Sequence, residues 1–257
     1  MVLIKKIRIR ISNMEDKGKI QSYQYKFPYH YIPTSENENY SDLTISRSLE
    51  WGLEYLMLLD KHCFYAENNT KILDLGCGDG RLYSRLCKKL NNFDYLGIDA
   101  DKSAINLAKL FNPNANFSSC SIEDIQDKFD LIYLCEVLEH IPDNEINAFL
   151  ENLKNLVHEN TKIVISVPSD LRPVIPKHYR HYSHELLKNQ LESNGFKIQE
   201  ITDFYHENRL VILLNKMLTN SFFSINNKFI KKLLIGQLVK ITKRSGKGAH
   251  VFAVCSL

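Results

Sequence analysis

ILDLGCGDGR, residues 72–81, decides the fold. The apolar run Ile72 to Leu75 reads as a buried strand and passes directly into a loop holding Gly76, Gly78 and Gly80. The pattern beyond it predicts a helix over 81–90. Glycines let the backbone turn sharply and let a ligand approach without a Cβ in the way. The N-terminus of the next helix then offers unpaired N–H groups to an anionic ligand group. Three spaced glycines are shared with dinucleotide-binding turns. The acid Asp74, just ahead of them, separates this loop from that class.

Downstream, strands and helices alternate. Strands are expected at 94–98, 116–119, 129–135, 162–167, 196–203 and 249–255, and helices at 102–111, 144–158 and 183–194. Helix 144–158 carries one apolar stripe at positions 146, 149, 150, 153, 156 and 157, the spacing of a single helix face. Ser183 fits a helix N-cap and Gly195 a left-handed stop. This rhythm predicts an α/β fold, a mostly parallel sheet covered on both faces. Upstream, residues 2–12 alternate like a strand, 13–19 read as a turn and 20–27 as a second strand, which together predict an N-terminal hairpin. Residues 45–61 read as a helix. The expected organisation is a cap over 1–69 and a core over 70–257, interrupted at about 208–247 by a helical insert with helices near 208–219 and 227–242.

The chain has 257 residues, 44% hydrophobic and 25% charged, an ordinary composition for one globular domain. Net charge is +3, but unevenly spread: nine Lys or Arg and no acid follow Glu207, so the first 207 residues carry 24 basic against 30 acidic residues. Such a segment faces something anionic or is simply a solvated basic face. The six cysteines, at 63, 77, 87, 120, 135 and 255, have no CxxC spacing and read as reduced thiols of a cytoplasmic protein. No signal-peptide core and no run long enough to span a membrane is expected. Zinc-finger spacing, an RRM signature and a KH loop are missing, which makes nucleic acid an unlikely partner.

Asp74-Leu-Gly-Cys-Gly-Asp-Gly80, Gly97-Ile-Asp99 and Phe129-Asp-Leu-Ile-Tyr-Leu-Cys-Glu-Val-Leu-Glu-His140 resemble the motifs of the class I S-adenosylmethionine-dependent methyltransferase family. The resemblance covers roughly residues 70–200 and the final strand. It implies a Rossmann-like, mostly parallel seven-stranded sheet and S-adenosylmethionine as cofactor. Asp74, Gly76, Cys77, Gly78 and Gly80 would then receive its methionine end, and Asp99 with Ala100 its ribose. A carboxylate suits two O–H donors. Ser121, Ile122 and Glu123 would flank the adenine, and Cys135 would end the strand beside the donor. Ser121 stands where the family often has Asp, so the adenine contact departs from the pattern.

Methyl transfer asks an enzyme for positioning, exclusion of water and sometimes a base. Three stretches qualify. Glu136, Glu139 and His140 fall on one face of a helix start and offer oxygen and imidazole ligands. They resemble the metal cluster of small-RNA 3′-terminal 2′-O-methyltransferases and of ubiquinone-pathway O-methyltransferases. Metal-free relatives carry the same stretch, and no metal is expected. His178 and His181 follow the fifth core strand, where ligands gather in open α/β sheets, and are the base candidates beside Glu136. The alternative is that Arg180 and His181 tie the loop to the 136–140 segment. The aromatics Tyr23, Tyr25, Phe27, Tyr29 and Tyr31 fit either pocket walls or packing.

The expected activity is methyl transfer to a hydroxyl of a small molecule or sugar-containing precursor. Two alternatives stay open: a metal-dependent RNA ribose methyltransferase and a non-catalytic methyltransferase-like partner. The insert is expected to roof the substrate pocket with its basic side exposed. A dimer interface or peripheral lipid contact would also use its apolar stripes, and the oligomeric state is open.

Overall fold

The computed structural model describes residues 17–22, 25, 34–35, 43–44, 49–205, 209–218, 227–242 and 248–257. Seven strands form one sheet: β1 (Lys71–Leu75), β2 (Asp94–Ile98), β3 (Asn116–Ser118), β4 (Phe129–Cys135), β5 (Val157–Pro168), β6 (Lys197–Phe204) and β7 (His250–Ser256). Their order is β3-β2-β1-β4-β5-β7-β6. The first five pair in parallel, and β7 runs antiparallel to both β5 and β6. Four of the five residues of β1 and six of the seven of β4 are buried. Helices on both faces demand this, so the strands read as near-continuous apolar runs.

The helices are α1 (Lys17–Ser22), α2 (Leu49–Cys63), α3 (Arg81–Leu86), α4 (Lys102–Phe111), α5 (Ile146–Lys154), α6 (His184–Ser193), α7 (Arg209–Leu218) and α8 (Lys228–Thr242). On one face Leu58 and Leu59 of α2, Leu82 and Leu86 of α3, Ile105 of α4, Leu214 of α7 and Leu234 of α8 pack with Ile72, Tyr133 and Phe252 of the sheet. On the other, Leu150 and Leu153 of α5 and Leu187 and Leu191 of α6 pack with Leu73, Ile132 and Ile163. Local chemistry sets several boundaries. Asp101 caps α4 by accepting from Ser103 N at 2.7 Å. Ser183 caps α6 by accepting from Leu186 N at 3.0 Å, and Gly195 beyond its end has φ 86°.

Three sequence expectations fail, each to a tertiary constraint. Lys17–Ser22 is helical, so the strand expected from residue 20 does not begin there; the partner strand at 2–12 lies outside the described residues. One turn of helix puts Lys17 and Gln21 on the same side. There Lys17 Nζ donates to the carbonyls of Pro176 and His178, and Lys177 Nζ donates to Gln21 Oε1 at 2.9 Å. The helix expected over 144–158 stops at Lys154, because Leu156 O accepts from Phe129 N at 3.0 Å and Val157 pairs with Phe129 in the sheet. None of the described residues of the insert lines the crevice, against the expected roof. Leu214, Leu234 and Ile241 instead pack into the core face that holds Leu58 and Leu59 of α2.

Strand order reverses between β1 and β4. Chain segments leave these neighbours in opposite directions, which opens a crevice outside their carboxyl ends.

Candidate active site

Two cavities meet at that crevice. One, of about 520 Å³, is lined by Ile98, Asp99, Ala100, Ser121, Ile122 and Phe149, with Glu123 and Cys120 at its wall. The other, of about 440 Å³, is lined by Glu54, Cys135, Glu139, Arg172, His178 and His250, with His181 behind them. Gly76, Glu136 and His140 belong to both walls, as do Gln21 and Tyr25.

The first cavity is shaped by backbone. Gly76, Gly78 and Gly80 all have positive φ, at 73°, 54° and 77°. Gly78 lines the second cavity, and a Cβ there would stand 3.4 Å from the Tyr25 hydroxyl. A Cβ on Gly80 would lie 2.7 Å from Asn112 Nδ2 and 2.8 Å from the Phe117 ring, so this glycine serves packing. Asp99 Oδ2 accepts from Gly78 N at 3.0 Å and Oδ1 from Asp101 N at 2.8 Å. Burial pushes the Asp99 carboxyl above its usual range against these donors. Each oxygen keeps a lone pair for further donors.

Other expected cofactor contacts are placed differently. Asp74 is buried behind the loop, where Tyr95 Oη donates to it at 2.7 Å and burial pushes its carboxyl up to about 7. Cys77 is buried too. Cys135 lies on the second cavity and accepts from Ser166 Oγ at 3.6 Å. Ser121 Oγ donates to Glu123 and accepts from Glu123 N at 3.3 Å, while Ser121 N donates to Asp124 Oδ2 at 3.0 Å. The hydroxyl is thus engaged in a capping box on the turn Ile122–Asp124.

The second cavity is shaped by side chains. Glu136 leaves β4 in the left-handed region, at φ 57°, anchored by Glu136 N donating to Ser166 O at 2.9 Å. A non-glycine residue held there costs of order 1–3 kcal/mol and is common at functional sites. The helix face expected for 136, 139 and 140 is not formed: Glu136 precedes the turn, while Glu139 and His140 sit on a 3-10 turn, Leu138–His140, although all three line the second cavity. Glu136 Oε1 accepts from His250 Nδ1 at 3.2 Å, and His250 Nε2 donates to Glu54 Oε1 at 2.6 Å. Arg172 Nη2 closes the array on Glu54 Oε1 at 2.8 Å. Burial works against both charges of the central pair. Mutual attraction wins, holding Glu136 down at about 2 and raising His250 to about 9.

Opposite this array, the tautomers can be assigned from carbonyl partners. His181 Nδ1 lies 2.8 Å from Arg172 O, so it carries the proton and its Nε2 accepts. His178 Nδ1 therefore donates to His181 Nε2 at 2.8 Å, leaving a lone pair on His178 Nε2. His140 Nδ1 lies 3.2 Å from Lys177 O, which leaves a lone pair on His140 Nε2. Burial, with Lys177 close by, lowers His140 to about 4; burial, with His140 next, lowers His178 to about 3. Both rings stay neutral near pH 7. Beside them lies Glu139, fully buried, with neither carboxyl oxygen hydrogen-bonded and Oε1 3.8 Å from His140 Nε2. Burial and then Glu136 raise its pKa. One ligand atom each from Glu139, His140 and His178 lies within 4.8 Å of the others.

His181 thus has both nitrogens committed, Nδ1 to Arg172 O and Nε2 to His178 Nδ1, while still lining the cavity. Arg180 does tie the loop down, donating to Leu138 O at 2.8 Å and Ile141 O at 2.7 Å. Of the N-terminal aromatics, Tyr25 lines both cavities; Tyr23, Phe27, Tyr29 and Tyr31 lie outside the described residues. Sequence reasoning missed Glu54, Arg172 and His250. A signal existed for two of them. Glu54 sits one turn before the buried Leu58 on α2, and His250 opens a strand that is otherwise apolar from Val251 to Cys255. All six cysteines are free.

Residues 50–201 match a family model described as a methyltransferase domain. A ubiquinone biosynthesis O-methyltransferase of Pelagibacter ubique is 35% identical over 99 residues, covering 36% of this chain and 39% of that protein. A trans-aconitate 2-methyltransferase of Deinococcus radiodurans is 29% identical over 121 residues, covering 46% of this chain and 42% of that protein. The chain thus spans about two fifths of the length of these curated relatives. Among solved structures, a SAM-dependent methyltransferase from Archaeoglobus fulgidus superposes with TM-score 0.55 at 18% identity, covering 78% of this chain and 91% of that one. A magnesium protoporphyrin IX methyltransferase from Synechocystis PCC 6803 with bound SAM gives TM-score 0.55 at 16% identity, covering 77% and 93%. At these identities the likeness is one of fold.

Proposed function

The chain belongs to the methyltransferase-domain family, and from that premise we propose that it transfers the methyl group of S-adenosylmethionine to a hydroxyl of a small or sugar-containing molecule. The carrying observation is the pair of cavities joined at Gly76, Glu136 and His140. When bound, S-adenosylmethionine supplies a methyl group on a positively charged sulfur, open to in-line attack by an oxygen lone pair. The residues fit that cofactor: Gly76, shared by both cavities, and Gly78, on the second, would leave room for the methionine end, Asp99 would accept from the ribose hydroxyls, and Ile122 and Phe149 would flank the base. Glu136, kept ionised by His250, lies at the junction and favours the positive charge of the donor. The acceptor occupies the histidine-lined cavity, with Gln21, Tyr25, Glu54 and Tyr55 capping it. His178 Nε2 is the group available to take the acceptor's proton, its ring held in one tautomer by His181. The hydroxyl reading also draws on the oxygen methylation named in the ubiquinone-pathway relatives.

One observation favours a second reading, in which a divalent cation assists. Glu139 is a buried carboxyl without a hydrogen bond, and one ligand atom each of Glu139, His140 and His178 lies within 4.8 Å of the others; burying such a group without a hydrogen-bond partner is costly. One carboxylate oxygen and two imidazole nitrogens suit a borderline divalent ion, which when bound supplies a Lewis acid. The depressed basicity of His178 points the same way, because a ligand must be neutral whereas a base must be protonatable. The earlier expectation of no metal therefore has a rival.

The test is turnover of S-adenosylmethionine with phenolic, sugar and nucleotide-sugar acceptors, with and without EDTA. An O-methyl product on mass spectrometry supports the proposal. No affinity for S-adenosylmethionine by calorimetry, or methylation on nitrogen alone, overturns it. Loss of turnover in EDTA, restored by a divalent ion, selects the second reading.

A further inference from the structure

α7 and α8 present apolar side chains outward on the flank of the sheet. On α7, Leu210, Leu213 and Met217 fall at helical spacing and are 42%, 55% and 45% exposed, while Leu214 is buried. On α8, Phe229 and Leu233 lie one turn apart and are 70% and 43% exposed, while Leu234 and Ile241 are buried. Each helix therefore satisfies the core with one side and keeps a second apolar side for something else. Lys216, Lys232 and Lys240 are also exposed on these helices. The region is free of acids, with nine Lys or Arg and no Asp or Glu beyond Glu207. None of the described residues of the insert lines either cavity, so catalysis does not account for the pattern.

We propose that the outward faces of α7 and α8 dock on an anionic lipid membrane. The argument is one of charge and shape together. Phosphates of a nucleic acid would use the lysines but leave an exposed Phe and several aliphatic side chains in water. A second copy would bring an equally acid-free surface against this one, and like charges would oppose it. A membrane interface uses both features: apolar side chains enter the headgroup boundary while flanking lysines meet anionic headgroups. Among the described residues no helix is long and apolar enough to cross a membrane, so the contact is peripheral. Such docking would hold the cleft near an acceptor dissolved in, or attached to, lipid.

Sedimentation of the full chain with vesicles tests this. Binding to phosphatidylcholine vesicles containing roughly a third phosphatidylglycerol is expected to be at least about tenfold stronger than to pure phosphatidylcholine, and to weaken with salt. Phe229→Glu with Leu233→Glu, and separately Lys232→Glu with Lys240→Glu, should each lower binding about tenfold with unchanged circular dichroism and unchanged affinity for S-adenosylmethionine. Hydrogen exchange of the unmodified chain avoids any folding defect of the variants, and added anionic vesicles should protect residues 209–218 and 227–242. Equal binding to both vesicles, or no protection of these helices, overturns the proposal. A dimer dissolved by the Phe229 variant, or RNA binding without vesicle binding, overturns it in favour of another occupant.

Discussion

On the cofactor side of the cleft, Asp99 is held by the backbone N–H groups of Gly78 and Asp101, 21 and two positions away. On the acceptor side, His250 is held by the side chains of Glu136 and Glu54, 114 and 196 positions away. The two walls face each other across Gly76, Glu136 and His140 yet are built by different means. One depends on what backbone conformation short local segments can adopt. The other depends on charges delivered by elements from both ends of the chain. A backbone-built wall should fail through strain, and a charge-built wall through pH and loss of a partner.

The largest expected effect is on the first wall. Gly80→Val places a branched side chain at φ 77° against Asn112 and Phe117, and should cost about 4 kcal/mol or more of stability, read as a collapse of the thermal midpoint. A loss below about 1 kcal/mol would mean the loop is far softer than its geometry implies.

Next comes the ion array. His250→Asn leaves Glu136 and Glu54 without their shared cation and should cost about 3 kcal/mol. In the unmodified protein, the raised His250 contributes stability that is complete below its unfolded pKa, near 6.5, and lost as pH rises through about 9. The lowered Glu136 contributes stability present above its unfolded pKa, near 4.5, and lost as pH falls through about 2. Melting temperature against pH should therefore decline on the alkaline side in the native chain, and the decline should flatten in the variant. Parallel profiles would show that the pair does not titrate as a unit.

Glu139→Ala should weaken manganese or magnesium binding at least about a hundredfold, or ~2.7 kcal/mol, by calorimetry. Absence of any cation binding by the native chain would return the site to the metal-free reading. Asp99→Ala should weaken S-adenosylmethionine by about tenfold, ~1.4 kcal/mol. An unchanged affinity in a folded variant would remove the ribose assignment.

The smallest effect sharpens the comparison from inside the first wall. Ser121→Ala removes a cap and should cost about 1 kcal/mol of stability, with S-adenosylmethionine affinity changed less than about twofold. A tenfold loss would show that the hydroxyl reaches the adenine after all.

Legibility followed the same division. The limits of β2, α4 and β4 and the capping of α6 by Ser183 could be read from short windows, because an apolar period and a capping side chain act within a few residues. The start expected for the second N-terminal strand failed where Lys17 and Gln21 found partners in the 175–178 loop. The described helices of the insert departed from the expected roof because an apolar stripe says that a helix is covered, not by what. At the site, His178 and His181 were legible as a pair, but their division of labour was not. It depends on Arg172 O lying beside His181 Nδ1.

By itself, the sequence determined the strand-loop-helix unit around Gly76 to Gly80, the acid that follows β2 and the alternation that makes a covered parallel sheet. Each of these is a conformational preference of neighbouring residues, acting over distances a window can see. Tertiary structure alone decided that Glu54, Glu136, Arg172 and His250 form one charge array, and that Glu139 is buried without a hydrogen bond beside two neutral histidines. The physical reason is that charge and desolvation act through space. Which side chains share a buried volume is settled only when β1, β4, β5 and β7 have assembled and brought their ends to one edge.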